Sequence, residues 1–255
     1  MKVAAVQMVS TPRVNDNLAR AAELVAQAAQ QGAELVVLPE YFCLMGLQDR
    51  DKLAIAEPPG QGRIQATLSG LARTHGLWLV GGTLPMALDG DPDHAANTSL
   101  VHGPDGALAA RYDKIHLFRY DDGERGYYEA ATLRPGVSPV AFDAVARDGA
   151  AHRVGLSVCY DLRLPAAFTW PTGQAHWELL LRARAVENQC YVIASAQGGQ
   201  HENGRRTWGH SMVIDPWGTV LAVQEEGAGV VVAELDPALL ARVRQQLPAL
   251  QHRRL

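Results

Sequence analysis

Three residues in this sequence have the types and settings to do chemistry on an amide: Glu40, Lys114 and Cys159. Each lies at the edge of a strand-like run. Cys159 closes Arg153-Val-Gly-Leu-Ser-Val-Cys159, a run of apolar and small residues that reads as a buried strand, and the polar Tyr160-Asp161-Leu162-Arg163 follows it. A thiol there stands where open α/β sheets place their ligand crevices. Glu40 ends the apolar Leu35-Val-Val-Leu-Pro-Glu40, and Lys114 lies in Arg111-Tyr-Asp-Lys-Ile-His116. A carboxylate beside a thiol can take its proton and later activate water. A desolvated ammonium near both favours thiolate and stabilises a tetrahedral oxyanion. Base, cation and thiol are the parts of a nucleophilic amide hydrolase.

Ordinary roles compete with these. A buried free cysteine is usually a small hydrophobe, and most lysines are solvated. Carboxylates, however, are almost never fully buried unless paired. Cys190, inside Asn188-Gln-Cys-Tyr-Val-Ile193, reads as core, and Cys43 as core or crevice wall. His116, His176 and His210 read as structural groups; one of them acting as base would define a rival Cys–His mechanism.

The elements that position these residues follow from periodicity. Lys2–Val9 reads as a strand, and Asn15 or Asp16 caps a helix whose stripe is Leu18, Ala21, Ala22, Leu24, Val25 and Ala28. A strand over Glu34–Glu40, a helix near Gly62–His75 and a strand over Leu77–Leu84 complete a strand–helix–strand–helix–strand order. That order implies a parallel sheet with right-handed crossovers. Hairpin patterns then appear at Thr98–His102 with Ala107–Tyr112, and at Ser211–Ile214 with Thr219–Val223, and Val230–Leu235 adds a strand. A helix over Gln174–Asn188 leads into a strand over Cys190–Ala196. The mixture predicts an α/β fold of two sheets face to face with helices outside, in one domain over 1–255.

Composition narrows the function. At 255 residues and 47% hydrophobic, the chain can bury a large core as one domain. Its net charge of −4 and lack of a basic run argue against nucleic acid or an anionic membrane as partner. The start is too short and too interrupted by Gln7 for a signal peptide, and no apolar stretch is long enough to span a bilayer. A cytoplasmic protein is expected. Three cysteines without CxxC spacing fit reduced thiols, and no metal or other cofactor is expected.

The three segments together resemble the nitrilase, or carbon–nitrogen hydrolase, superfamily. Leu38-Pro39-Glu40 is similar to its glutamate motif, Tyr112-Asp-Lys-Ile-His-Leu-Phe118 to its lysine motif, and Cys159-Tyr-Asp-Leu-Arg163 to its cysteine motif. Tyr128-Glu129, Arg134-Pro-Gly136, His176–Cys190 and Gly209-His-Ser211 extend the likeness over nearly the whole chain. The resemblance implies a four-layer α-β-β-α sandwich, a homodimer or larger homo-oligomer, and a Glu-Lys-Cys triad. By position, Glu40 is then the general base, Lys114 the oxyanion-side cation and Cys159 the nucleophile. Glu129 takes the place of a second glutamate that orients lysine and substrate. Glu202–Ser211, Asp215-Pro-Trp-Gly218 and Leu247–Arg254 look most like the branch of amidases acting on deaminated glutathione; ω-amidases acting on 2-oxoglutaramate or 2-oxosuccinamate are the near alternative. Both substrates are anionic, so an arginine clamp is expected. Arg163 is the first candidate, ahead of Arg205 and Arg206, and Tyr160 is a further substrate contact. Nitrile hydrolysis would use the same triad, and a non-catalytic scaffold is the reading of another class.

One departure stands out. Family members carry a helix and a strand after the cysteine motif, whereas here Leu164-Pro165 runs straight into Ala166-Ala-Phe168. The shortfall is roughly 15–20 residues, enough for one parallel crossover. Residues omitted between Pro165 and Ala166 are the expectation, with loss of a central strand as the alternative.

Overall fold

Successive residues of Lys2–Gln7 (β1) enter alternate cores, Ala4 and Val6 one and Val3 and Ala5 another. A strand buried on both faces belongs between layers. The computed structural model describes residues 1–121, 126–162 and 169–252. After β1 come Val14–Gln30 (α1), Leu35–Val37 (β2), Asp51–Ala54 (α2), Arg63–His75 (α3), Trp78–Val80 (β3), Leu84–Leu88 (β4), Asp91–His102 (β5) and Leu108–Asp113 (β6). Arg119–Asp121 (β7), Gly126–Tyr128 (β8), Leu133–Arg134 (β9), Ala141–Val145 (β10), Ala151–Gly155 (β11) and Trp170–Asn188 (α4) follow. The chain continues through Val192–Ala194 (β12), Gly198–Gln200 (β13), Arg206–Trp208 (β14), Ser211–Ile214 (β15), Val220–Gln224 (β16), Gly229–Glu234 (β17) and Pro237–Gln246 (α5).

The first sheet runs β17-β1-β2-β3-β5-β4, with β6 and β9 also on β5. Its centre, β1-β2-β3, is parallel, as the alternating strand–helix order predicts. Leu18, Leu24 and Val25 of α1 and Ile64 and Leu68 of α3 close its outer face over Val36, Leu79 and Leu84. On the inner face Val3, Leu35, Val80 and Val101 meet Phe142, Ala144 and Val213 of the second layer. Beyond that layer, Trp177, Leu181 and Ala185 of α4 pack on Ala194, Met212 and Ile214. The order is α-β-β-α.

Several boundaries differ from the sequence reading. Helix α4 starts at Trp170 rather than Gln174, because Pro171 fits the first turn, where its missing N–H costs nothing. Strand β5 starts at Asp91, far ahead of Thr98, and Asp91 and then Ala95–Thr98 pair with β4 across a register shift. Neither Asn15 nor Asp16 caps α1; Arg13 stands at that position without a side-chain cap.

The largest difference is in the second layer. Among the described residues its strands form two separate sheets, β10-β11 and β12-β15-β16. Among the described residues β11 pairs only with β10, and β12 only with β15. The strand expected to reach Cys159 therefore stops at Gly155, since a ladder needs a neighbour to continue. Cys159 instead opens a single 3-10 turn, Cys159–Leu162. The division falls between the two segments that flank the short stretch after Cys159. That stretch, with Arg163 and the Pro165–Ala166 junction, lies outside the described residues.

Candidate active site

Glu40 is set by the end of β2. Leu38 N–H still bonds the Val80 carbonyl at 2.9 Å, and Pro39 then ends the pairing. Tyr41 turns the chain with φ 57° and donates its N–H to Thr83 Oγ1 at 3.0 Å. Gly82 lies so close that a Cβ there would sit 2.1 Å from the Pro39 carbonyl oxygen, and its φ is 54°. Only glycine meets both demands.

Lys114 follows β6 directly. Its N–H donates to the Asn97 carbonyl and its own carbonyl accepts from Gly136 N–H, both at 2.9 Å. The ammonium is fully buried, at 0% exposure, between two carboxylates. Nζ lies 2.9 Å from Glu40 Oε1, and 3.1 and 2.9 Å from Glu129 Oε1 and Oε2. Asn97 Nδ2 adds a bond of 2.8 Å to Glu40 Oε1. Glu129 stands in a single 3-10 turn, Glu129–Ala131, and also accepts from Phe118 N–H at 2.7 Å and Tyr41 O–H at 3.2 Å.

The Cys159 thiol faces the Glu40 carboxylate closely enough that each shifts the acidity of the other. The Cys159 φ of 46° is sparsely populated for a residue with a Cβ, a strain that the surroundings must hold. Asp161 supplies the hold. Its Oδ2 accepts from Val158 N–H at 2.8 Å and from Tyr112 O–H, and its Oδ1 from His116 N–H at 3.0 Å. One carboxylate thus ties the cysteine turn to the segment carrying Lys114.

Two buried carboxylates and one ammonium leave the cluster an excess negative charge. Burial, and then the Glu40 carboxylate, push the Cys159 thiol well above its ordinary value, so it rests protonated. Burial also raises Glu40, against the pull of Lys114, which makes it a better proton acceptor than an ordinary carboxylate. Burial alone would lower Lys114, but Glu40 and its neighbours outweigh that and hold it charged. The arrangement can move a proton from thiol to carboxylate beside a fixed positive charge.

A cavity of about 630 Å³ opens on this cluster, lined by Glu40, Glu129, Cys159, Tyr41, Phe118, Lys52 and others, including Trp170, Arg205 and Arg206. That volume is in the range of small-molecule sites. The structure brings Glu40, Lys114, Glu129 and Cys159 together. Tyr160 does not line the cavity; its ring meets Phe118 edge-on at 5.6 Å between centroids. His116 is bonded to Asp161, and His210 to the Trp208 carbonyl and stacked on its ring. Sequence reasoning missed the parts played by Asn97, Asp161, Tyr41 and Lys52. Tyr41 and Asp161 adjoin motif residues and were within reach, whereas Asn97 and Lys52 carry no local signal.

The chain matches the family model described as carbon-nitrogen hydrolase over residues 2–245. It is 41% identical to a deaminated glutathione amidase of Synechocystis sp. over 269 positions, covering 98% of this chain and 97% of that one. That alignment is longer than the 255 residues of this chain, so the relative carries internal residues with no counterpart here. A deaminated glutathione amidase of Homo sapiens is 40% identical, over 99% of this chain and 82% of that one. The crystal structure of the C. elegans NitFhit protein superposes with a TM-score of 0.89 at 36% identity, over 99% of this chain; this chain spans 65% of that longer one.

Proposed function

The chain belongs to the carbon–nitrogen hydrolase family, and from that premise we propose that it is a thiol amidase that splits deaminated glutathione into 2-oxoglutarate and Cys-Gly. The observation that carries this reading is the bonded set Glu40, Lys114 and Glu129 with the Cys159 thiol facing Glu40, at one wall of the cavity. The relatives named as deaminated glutathione amidases support the choice of substrate. In this scheme Cys159 Sγ attacks the amide carbonyl carbon while its proton passes to Glu40. The oxyanion forms in the field of Lys114. The C–N bond breaks as Glu40 returns the proton to the leaving nitrogen, which leaves a thioester. Water then attacks that thioester, giving its proton to Glu40, and the departing thiolate takes the proton back. Glu129 keeps Lys114 in place throughout.

The whole chain acts as one hydrolase domain in this reading, and the family match over 2–245 supports that. Self-association into a homodimer or larger is part of it too, supported by exposed Leu179 and Val186 on α4 and by Trp217. A cytoplasmic location is inferred as well; among the described residues no helix is long and apolar enough to cross a membrane.

The test measures 2-oxoglutarate released from deaminated glutathione and, separately, from 2-oxoglutaramate, with Cys159→Ala as control. Higher kcat/KM on the first, lost in the control, is expected. Preference for the second would reassign the chain as an ω-amidase. Turnover of neither would shift the reading to another amide, and slow labelling of Cys159 by iodoacetamide would then favour a non-catalytic scaffold.

A further inference from the structure

Three cations line the cavity among its described residues: Lys52, Arg205 and Arg206. The two arginines are engaged by carboxylates. Arg205 lies 3.1 Å from Asp49, and Arg206 lies 3.2 Å from Glu226 with its guanidinium 3.3 Å from the Trp170 ring centre. Lys52 differs. Its ammonium donates to the Thr132 hydroxyl at 3.1 Å and sits 5.8 Å from the centre of the Tyr41 ring, and it has no ion-pair partner among the described residues. Burial lowers its pKa, with the nearby carboxylates of Asp49 and Glu129 offsetting only part of that loss. A half-buried ammonium whose direct contacts are a hydroxyl and an aromatic ring is short of one contacting anion.

Its position says which anion. Thr132 donates its N–H to the Glu129 carbonyl at 3.1 Å, and the Tyr41 hydroxyl bonds the Glu129 carboxylate. Lys52 is therefore one side chain removed from the reacting cluster, on the cavity wall and away from the thiol's own partners. We propose that the Lys52 ammonium binds the carboxylate at the far end of the substrate's acyl chain, and so selects amides of dicarboxylic acids over neutral amides. This rests on the amidase reading for the bond that is cut, but the binding of a carboxylate can be tested without turnover. In this proposal a lysine on the short helix α2 holds the anion, while Arg163, the first arginine expected to do so, lies outside the described residues.

The experiment has two arms. In the first, 2-oxoglutaramate and the neutral pentanamide are turned over by wild type, Lys52→Met and Lys52→Arg. Lys52→Met should lower kcat/KM on 2-oxoglutaramate about 10- to 100-fold, mostly through KM, and change pentanamide less than about 2-fold. Lys52→Arg should recover part of the loss. Equal losses on both substrates would make Lys52 a prop for Tyr41 and Glu129, and overturn the proposal. In the second arm, glutarate binding is measured calorimetrically on Cys159→Ala and on Cys159→Ala/Lys52→Met. Weaker binding in the double variant supports the carboxylate site even if no amide is turned over; equal binding refutes it even if the amidase reading stands.

Discussion

Asp161→Asn probes how the strained nucleophile is held. The carboxylate meets donors at both oxygens: Val158 N–H and the Tyr112 hydroxyl at Oδ2, the His116 N–H at Oδ1. An asparagine keeps one acceptor and turns the other position into a donor. Either orientation of the amide sets its NH₂ against a backbone N–H, that of Val158 or that of His116. The tyrosine hydroxyl can rotate to accept, but a backbone N–H cannot. One buried donor is therefore stranded whichever way the amide turns, at a cost of about 1–3 kcal/mol. For a domain of this size that lowers Tm by roughly 2–12 °C. The released turn also lets Cys159 leave its φ of 46°, and a displacement of the sulfur of about 1 Å costs on the order of 100-fold in kcat. The assay pairs thermal unfolding with kcat on the preferred amide. An Asp161→Asn protein with wild-type Tm and kcat would refute the claim that this carboxylate holds the nucleophile.

Other perturbations test the rest of the site. Glu40→Gln removes the proton acceptor, and kcat should fall about 100- to 10,000-fold while the thiol stays in place; retained turnover would shift the base elsewhere. Because burial raises Glu40, and because it must be ionised to accept the proton, activity is present above its pKa and lost as pH falls through it. The acid limb of kcat/KM should therefore lie above the ordinary carboxylate value of about 4.3, and a limb below that value would contradict the burial argument. Gly82→Ala drives a Cβ to 2.1 Å from the Pro39 carbonyl oxygen at a left-handed φ, and should cost about 3 kcal/mol of stability by denaturant unfolding.

What the sequence made legible follows from where each residue sits. Glu40, Lys114 and Cys159 each border an apolar run, so a change from buried to polar pattern marks them. Glu129 has no such frame; it stands in an isolated 3-10 turn and was visible only through family likeness. Lys52 lies in the four-residue helix α2, among charges that read as solvated surface, and only tertiary packing turns it toward the cavity. The apolar run before Cys159 shows the limit of periodicity, because a pattern gives the faces of a strand but not its neighbours. Residues 153–155 found a partner in β10 and Leu156 adds one bond to the Val140 carbonyl, but residues 157–159 pair with no strand among the described residues. Asn17 shows the same override at a helix start. It points inward, its side chain bonded to Thr11 and to the Cys43 carbonyl, instead of leaving the first turn to a polar cap.

The divided second layer gives the reacting groups supports of unequal stiffness. Glu40 hangs from β2, the middle of a three-stranded parallel run inside an eight-stranded sheet. Among the described residues, Cys159 follows a two-stranded ribbon whose last residue, Gly155, is exposed to solvent, as is Ser157 in the link to the cysteine. Two paired strands are marginal by themselves, and this ribbon is secured chiefly through Phe142 and Ala144 on the inner core. Local opening of the ribbon is consequently a low-energy event next to melting of the main sheet. On warming, activity should therefore fall before the far-ultraviolet circular dichroism of the main sheet does, and coincident loss of the two would contradict this difference in stiffness.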